Sequence, residues 1–336
     1  MFGYDARDHG LRLGASLCAL ALGAALGMGQ AWAAGTGRVF VSSEKDHVVT
    51  VLDGRSLERL KEIPTGDRPR GLRFSPDHQR LYVACGDADR IDVIAVGRLE
   101  VVEHLQVGED PERFDLSPDG RLLYVTNEDD ALLSVFDLEQ RRVIQEIEVG
   151  EEPEGVLASP DGRTVYVASE VANMVHVVDT GSWGLRANIL VGNRPRRFAL
   201  TPDAAELWVT AELSGAITII DTASERVEGQ IRFRPKGFRV EDITPVGQVM
   251  TRDGRKAYVT LGGANHVAVV DVPARRVKDY ILVGHRPWGV ALSRDEKTLY
   301  VTNGQSDDLS VIDTASLKVR RSVPVGRVPY TVVVDD

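Results

Sequence analysis

Apolar and polar residues alternate in short runs along nearly the whole chain, and the runs come in sets of four. The set is clearest in residues 287–326, PWGVALSRDEKTLYVTNGQSDDLSVIDTASLKVRRSVPVG, where each run ends at a turn. Period-two alternation bounded by Gly, Pro, Asp and Asn predicts half-buried β-strands. The set recurs. A Gly-x-x-Pro turn places Gly66, Gly108, Gly150 and Gly192 42 residues apart, and Gly284 and Gly326 again 42 apart. After each turn an inner run ends at Ser-Pro-Asp (Ser75, Ser117, Ser159) or a variant (Thr201, Thr251, Ser293). A second run starts at Tyr82, Tyr124, Tyr166, Trp208, Tyr258 or Tyr300. A third closes on Asp137, Asp179, Asp221, Asp271 or Asp313, and a fourth leads into the next Gly.

Four strands repeated at this period predict an all-β, seven-bladed β-propeller of four-stranded antiparallel blades. Six blades begin at Pro69, Pro111, Pro153, Pro195, Pro245 and Pro287. The seventh is split. The repeat opens with only three runs, Arg38 to Ser43, His47 to Asp53 and Glu58 to Ile63, while Val328 to Asp335 matches the inner runs of the other blades. The C-terminal strand is therefore expected to join the N-terminal blade and close the ring, which leaves no exposed terminal edge. The connection before Pro245 is eight residues longer than its counterparts, within FRPKGFRVEDIT, and Pro235 and Gly237 exclude a simple strand extension.

Residues 13–28 are apolar, follow Arg7 and Arg12, and precede Ala31-Trp32-Ala33, which has the small-x-small form of a signal-peptidase site. The expected organisation is a signal peptide over 1–33 and one propeller over 34–336, located in the periplasm. With 40 Lys+Arg against 50 Asp+Glu the formal charge is −10, so neither nucleic acid nor an anionic membrane surface is expected as a partner. Cys18 and Cys85 form no metal or haem motif, and Cys85, ending a strand, reads as a small buried residue.

Residues present in every blade serve the blade; those that differ between blades are the candidates for chemistry. Strand alternation puts the Gly-x-x-Pro loops and the loops after the second strands on one face, the mouth. There, Glu109, Asp110, Glu112, Glu151, Glu152 and Glu154 form an acidic arc on two blades. The other blades carry Arg68, Arg70, Arg194, Arg196, Arg197, His285, Arg286, Trp288, Arg327 and Tyr330, with Arg113 intruding on the acidic side. The expected mouth is electrically split, and its basic and aromatic arc suits a planar anion or a partner's carboxylates. The alternative is a solvated rim of internal salt bridges. Just after the second strands, Glu44, Glu128, Glu170 and Glu212 alternate with Gly86, Gly262 and Gly304. Calcium would draw on such carboxylates, but nearby arginines are the readier partners, and no cofactor is expected.

Tyr124-Val-Thr-Asn127 and Tyr300-Val-Thr-Asn303, between Ser-Pro-Asp and Val-Ile-Asp-Thr, resemble the YVTN family of β-propeller repeats over residues 38–335. Four stretches are similar to the periplasmic propellers associated with pyrroloquinoline quinone (PQQ)-dependent alcohol catabolism. They are EVANMVHVVDT (170–180), PVGQ (245–248), GGANHVAVVDV (262–272) and DYILVGHRPWG (279–289). That resemblance implies export and an accessory binding role beside a quinoprotein dehydrogenase or its cytochrome or transport partner. It carries over no catalytic residues. Two other readings stay open: a lactonase-like hydrolase working through His285, Glu128, Glu170 and Arg196, and a cell-surface structural propeller.

Overall fold

The computed structural model describes Met1 and residues 35–336, so the leader expected over 1–33 lies outside the described residues. Twenty-eight strands form seven four-stranded antiparallel sheets, each built from consecutive strands except one. In that blade Pro329–Asp335 pairs with Arg38–Ser43, followed by Val48–Asp53 and Arg59–Pro64, which is the expected closure. A clasp finishes it. Gly37 N donates to Asp335 O at 2.7 Å, and the Asp335 carboxylate, 1% exposed, accepts from Thr36 N at 3.0 Å and Thr36 Oγ1 at 2.6 Å and meets His78 Nδ1 at 2.8 Å.

The blades are counted from Pro69–Phe74 as blade 1 to this composite as blade 7. Alternation gives each sheet two apolar faces, and the core lies between blades. Tyr166, Val175, Val177 and Ile189 of blade 3, for example, interdigitate with Leu207, Val209 and Ile220 of blade 4. The repeated polar residues serve as joints. Thr210, Thr260 and Thr302, from the second strands, donate through Oγ1 to the carbonyls of Val246, Trp288 and Tyr330 in the next inner strand at 2.7, 2.9 and 2.8 Å. In the Ser-Pro-Asp turns the serine hydroxyl donates to Asp Oδ1, as in Ser75 to Asp77 at 2.5 Å, and the residue that follows is left-handed, as at Gly120 with φ 72°.

The inner strands set up the site. Each starts at a proline and slips register within the next two or three residues, as between Pro111 and Arg113 or Pro195 and Phe198. Bulges of this kind re-aim side chains. The residues just after each proline are thereby turned toward the central channel and its mouth. The longer connection before Pro245 is tied down by Phe233 and Ile243, each 2% exposed, and by Arg234 N donating to Tyr280 Oη at 2.7 Å.

Candidate functional site: an ion-paired propeller mouth

Three sets of positions build the mouth. The first residue after each inner-strand proline is Arg70, Glu112, Glu154, Arg196, Val246, Trp288 or Tyr330. The second is Gly71, Arg113, Gly155, Arg197, Gly247, Gly289 or Thr331. Glycine there lets neighbouring strands close up: a Cβ on Gly155 would sit 2.3 Å from Arg196 O. Arg113 and Arg197 are the two large side chains in that set. The third set holds the alternating Glu and Gly residues after the second strands.

Ion pairs lace these sets together. Arg196, 6% exposed, pairs with Glu154 at 3.1 Å, with Glu170, and with Glu212 at 3.6 Å. Arg197 donates to Glu154 Oε2 at 2.7 Å. Arg70 pairs with Glu44 at 2.8 Å and with Glu112, and Arg68 with Asp110 at 2.9 Å and also with Glu112. Arg194 pairs with Glu170, and Arg286 reaches across blade 5 to Glu212 at 3.0 Å. The expected split between an acidic and a basic arc is therefore not what forms. Low-dielectric surroundings reward alternation of sign, and every inward arginine but Arg113 meets a carboxylate from another blade.

Tyr330 is the hub. Its Oη accepts from Arg197 Nη2 at 2.6 Å and Arg196 Nη2 at 3.2 Å, joining blade 4 to blade 7. The Arg70 guanidinium lies 4.2 Å from its ring centroid, and Trp288 packs against the ring at 5.3 Å. One guanidinium has no carboxylate. Arg113 Nη1 donates to Thr331 Oγ1 at 2.8 Å, and among the described residues it enters no ion pair. Burial, with Arg197 beside it, pushes its pKa down to about 9. An arginine stays charged in a protein, so the direction reflects burial and Arg197 outweighing the attraction of Tyr330 and Glu154.

The carboxylates divide by partner. Burial opposes ionisation of Glu154, but Arg196, Arg197 and Arg70 together hold it below the usual carboxylate range. Burial, with Glu154 nearby, pushes Glu170 up to about 7 against the pull of Arg196 and Arg194. Burial also raises Glu44, Glu128 and Asp110. Asp110, Glu112 and Glu128 lie close enough to share a cation, but Arg68 Nη2 is already among them, 3.8 Å from Glu128. That donor set is spent on a guanidinium, so it does not fit calcium. Cys85 is buried and burial pushes its thiol up to about 12, which suits a packing residue.

Of the residues picked out in the sequence, Arg68, Arg70, Arg113, Arg194, Arg196, Arg197, Arg286, Trp288, Tyr330, Glu128, Glu170 and Glu212 gather at this mouth. His285 and Arg327 do not join the network: both are exposed, and Arg327 pairs with Asp46 at 2.6 Å. The sequence reading passed over Thr331. It stands in a column that is glycine in four blades, and that departure was the available signal.

Comparison with known proteins agrees with this architecture. Residues 39–164 match the YNCE-like beta-propeller family. Residues 129–298, just over half of the chain, match the choice-of-anchor I domain, and the chain belongs to that family. No curated protein matches. Among solved structures, Kuenenia stuttgartiensis hydrazine synthase is 24% identical, with a TM-score of 0.75 over 83% of this chain and 93% of that one. A periplasmic gluconolactonase from Pseudomonas aeruginosa is 21% identical, with a TM-score of 0.76 over 89% and 99%. A dihydro-heme d1 dehydrogenase, NirN, is 18% identical, with a TM-score of 0.68 over 88% and 75%. At these identities the likeness is one of fold.

Proposed function

We propose that this propeller is an exported binding module, accessory to a PQQ-dependent alcohol-oxidising system, that receives an anionic ligand or the carboxylates of a protein partner at its mouth. The observation that supports it is the convergence of Arg70, Arg196 and Arg197 on Tyr330, at positions where the blades stop repeating. Propellers place their variable residues on one face, and concave sites with a few convergent polar groups are where ligands bind. The link to alcohol oxidation rests on the four resembling stretches, two of which, PVGQ and DYILVGHRPWG, contribute Val246, Arg286 and Trp288 to the mouth.

PQQ itself is a poor fit as a resident group. A planar, multiply charged anion needs several unpaired cations, and the mouth arginines other than Arg113 are already paired. A quinoprotein dehydrogenase or its cytochrome or transport partner is the preferred companion. The lactonase reading is weaker because His285 is exposed and, among the described residues, makes no hydrogen bond or ion pair with Glu128, Glu170 or Arg196.

The test is a thermal-shift screen of the mature protein against PQQ, calcium, haem and small lactones, with a periplasmic pull-down. A partner captured by the wild type and lost on Trp288→Ala supports the proposal; turnover of a lactone overturns it. Export is checked by N-terminal sequencing, which should begin near Ala34. Intact Met1 in the membrane pellet would show an anchor instead.

A further inference from the structure

Two donors at the mouth, the guanidinium of Arg113 and the hydroxyl of Tyr330, lack an anionic acceptor, and Thr331, to which Arg113 donates, adjoins Tyr330 in the chain. The first is the Arg113 guanidinium, bonded to the neutral Thr331 hydroxyl and to no carboxylate among the described residues. The second is the Tyr330 hydroxyl, which is subtler. Tyr330 is 3% exposed, and its oxygen accepts from two guanidiniums, those of Arg196 and Arg197. A phenol oxygen so engaged turns its own proton away from both donors. No hydrogen bond from that proton to an acceptor forms among the described residues. A buried donor without an acceptor destabilises the fold, and so does a half-buried cation with no anion beside it, as Arg113 is.

We infer that Arg113 and Tyr330 form a binding site for one small carboxylate, seated in the channel beneath the mouth. The inference deepens the binding-module reading and rests on it for the mouth as the ligand face. The chemistry selects the ligand. A planar guanidinium pairs with a planar carboxylate through two parallel N–H···O bonds, and a tyrosine O–H supplies a third to the same group. The site takes a single negative charge. Arg197, beside Arg113, already donates to Glu154 at 2.7 Å, whereas Arg113 enters no ion pair among the described residues and is the cation open to an added carboxylate. The position itself argues for a purpose. The equivalent residue is Gly71, Gly155, Gly247 or Gly289 in four blades, so the fold does not require an arginine there.

The probe is trifluoroacetate, followed by 19F NMR in chloride-free buffer, with acetate, phosphate and chloride as competitors. Wild type should bind it, and acetate should displace it more effectively than chloride or phosphate. Arg113→Gly should weaken binding by about tenfold or more, the scale of a charge-assisted hydrogen bond, and Tyr330→Phe by a smaller factor. Because Arg113→Gly removes an uncompensated cation, that variant should melt higher than wild type without ligand, and acetate should narrow the gap. Binding left unchanged by both substitutions overturns the site. Equal displacement by phosphate or chloride overturns its selectivity for carboxylates, and a ligand-free Arg113→Gly that melts below wild type shows that the protein already satisfies the guanidinium. The two readings separate cleanly. Carboxylate binding lost in Arg113→Gly with no partner captured sinks the accessory role alone; a partner lost on Trp288→Ala, with no carboxylate bound, sinks the channel site alone.

Discussion

The six-membered ring of Trp288 lies against Gly304, so closely that a Cβ on the glycine would come within 2.4 Å of Cζ3. This contact explains the alternation of Glu and Gly after the second strands. Glutamate stands where a neighbouring arginine needs a partner, as Glu212 does for Arg286 and Glu170 for Arg196. Glycine stands where a large side chain needs room, as Gly304 does for Trp288 and Gly86 for Arg68. Gly304→Ala should therefore displace the indole and cost about 1–3 kcal/mol, the range for overpacking. Denaturant melts read the loss, and tryptophan emission should shift red as Trp288 moves toward water. An unchanged spectrum and midpoint would show that the ring has no need of the glycine.

Glu154 is shared by Arg196 and Arg197 and lies 3.6 Å from Arg70. Glu154→Gln leaves buried guanidiniums without their counter-charge. Breaking a buried pair in this way typically costs about 3–5 kcal/mol. Exposed pairs are worth little, so removing Glu139, which meets Arg121 at 3.4 Å on the surface, should leave the melt unchanged. Urea titration of the two variants side by side checks the contrast, and equal midpoints would show that the network carries no stability.

Repetition made the fold legible. The 42-residue spacing of Gly66, Gly108, Gly150 and Gly192 reports a structural unit because every blade solves the same packing problem, and Val328 to Asp335 betrayed the closure by matching an inner strand out of place. The membership of the mouth was legible too, since residues that break the repeat had to lie where the blades differ. Its pairing was not. Which arginine meets which glutamate depends on bulges that turn Arg113 and Arg197 into the channel and on contacts between residues such as Arg197 and Tyr330, far apart in sequence. Arg196, which follows a Gly-x-x-Pro turn in the sequence, is deeply buried, so its removal acts on folding as well as on binding.

Glu170 should leave a signature in the pH dependence of stability. Its folded pKa of about 7 lies above the unfolded value near 4.3, chiefly through burial, with Glu154 adding to it, and despite Arg196 and Arg194, which also pair with Glu212. Between those values the folded chain holds a proton that the unfolded chain has released. Stability attributable to Glu170 therefore falls as pH rises from about 4.5 to 7 and then levels off. Glu170→Gln removes this component. The wild-type minus variant difference in denaturation midpoint, followed from pH 4.5 to 8, should slope downward; a flat difference would mean that Glu170 is ionised throughout.

Ring closure should respond to pH in the opposite sense. Burial works against the Asp335 carboxylate, but the hydrogen bonds from Thr36, with His78 alongside, outweigh it and lower its pKa. A lowered carboxylate pKa gives stability that is present above the unfolded value near 3.9 and lost as pH falls through the folded one. Asp335→Asn should thus weaken the protein at neutral pH and converge with wild type in acid. Deleting residues 328–336 should do far more. That removes the inner strand of blade 7, with Tyr330 and Val332 each 3% exposed and Val332 packed against Val39 and Val41. At roughly 25 cal/mol per Å² of apolar surface, losing a central strand consumes much of a stability margin of about 5–15 kcal/mol. The truncated chain should be unfolded by circular dichroism and proteolysis, whereas Asp335→Asn keeps a cooperative transition at a lower midpoint. A truncated protein that melts like wild type would show that the ring holds without its C-terminal strand.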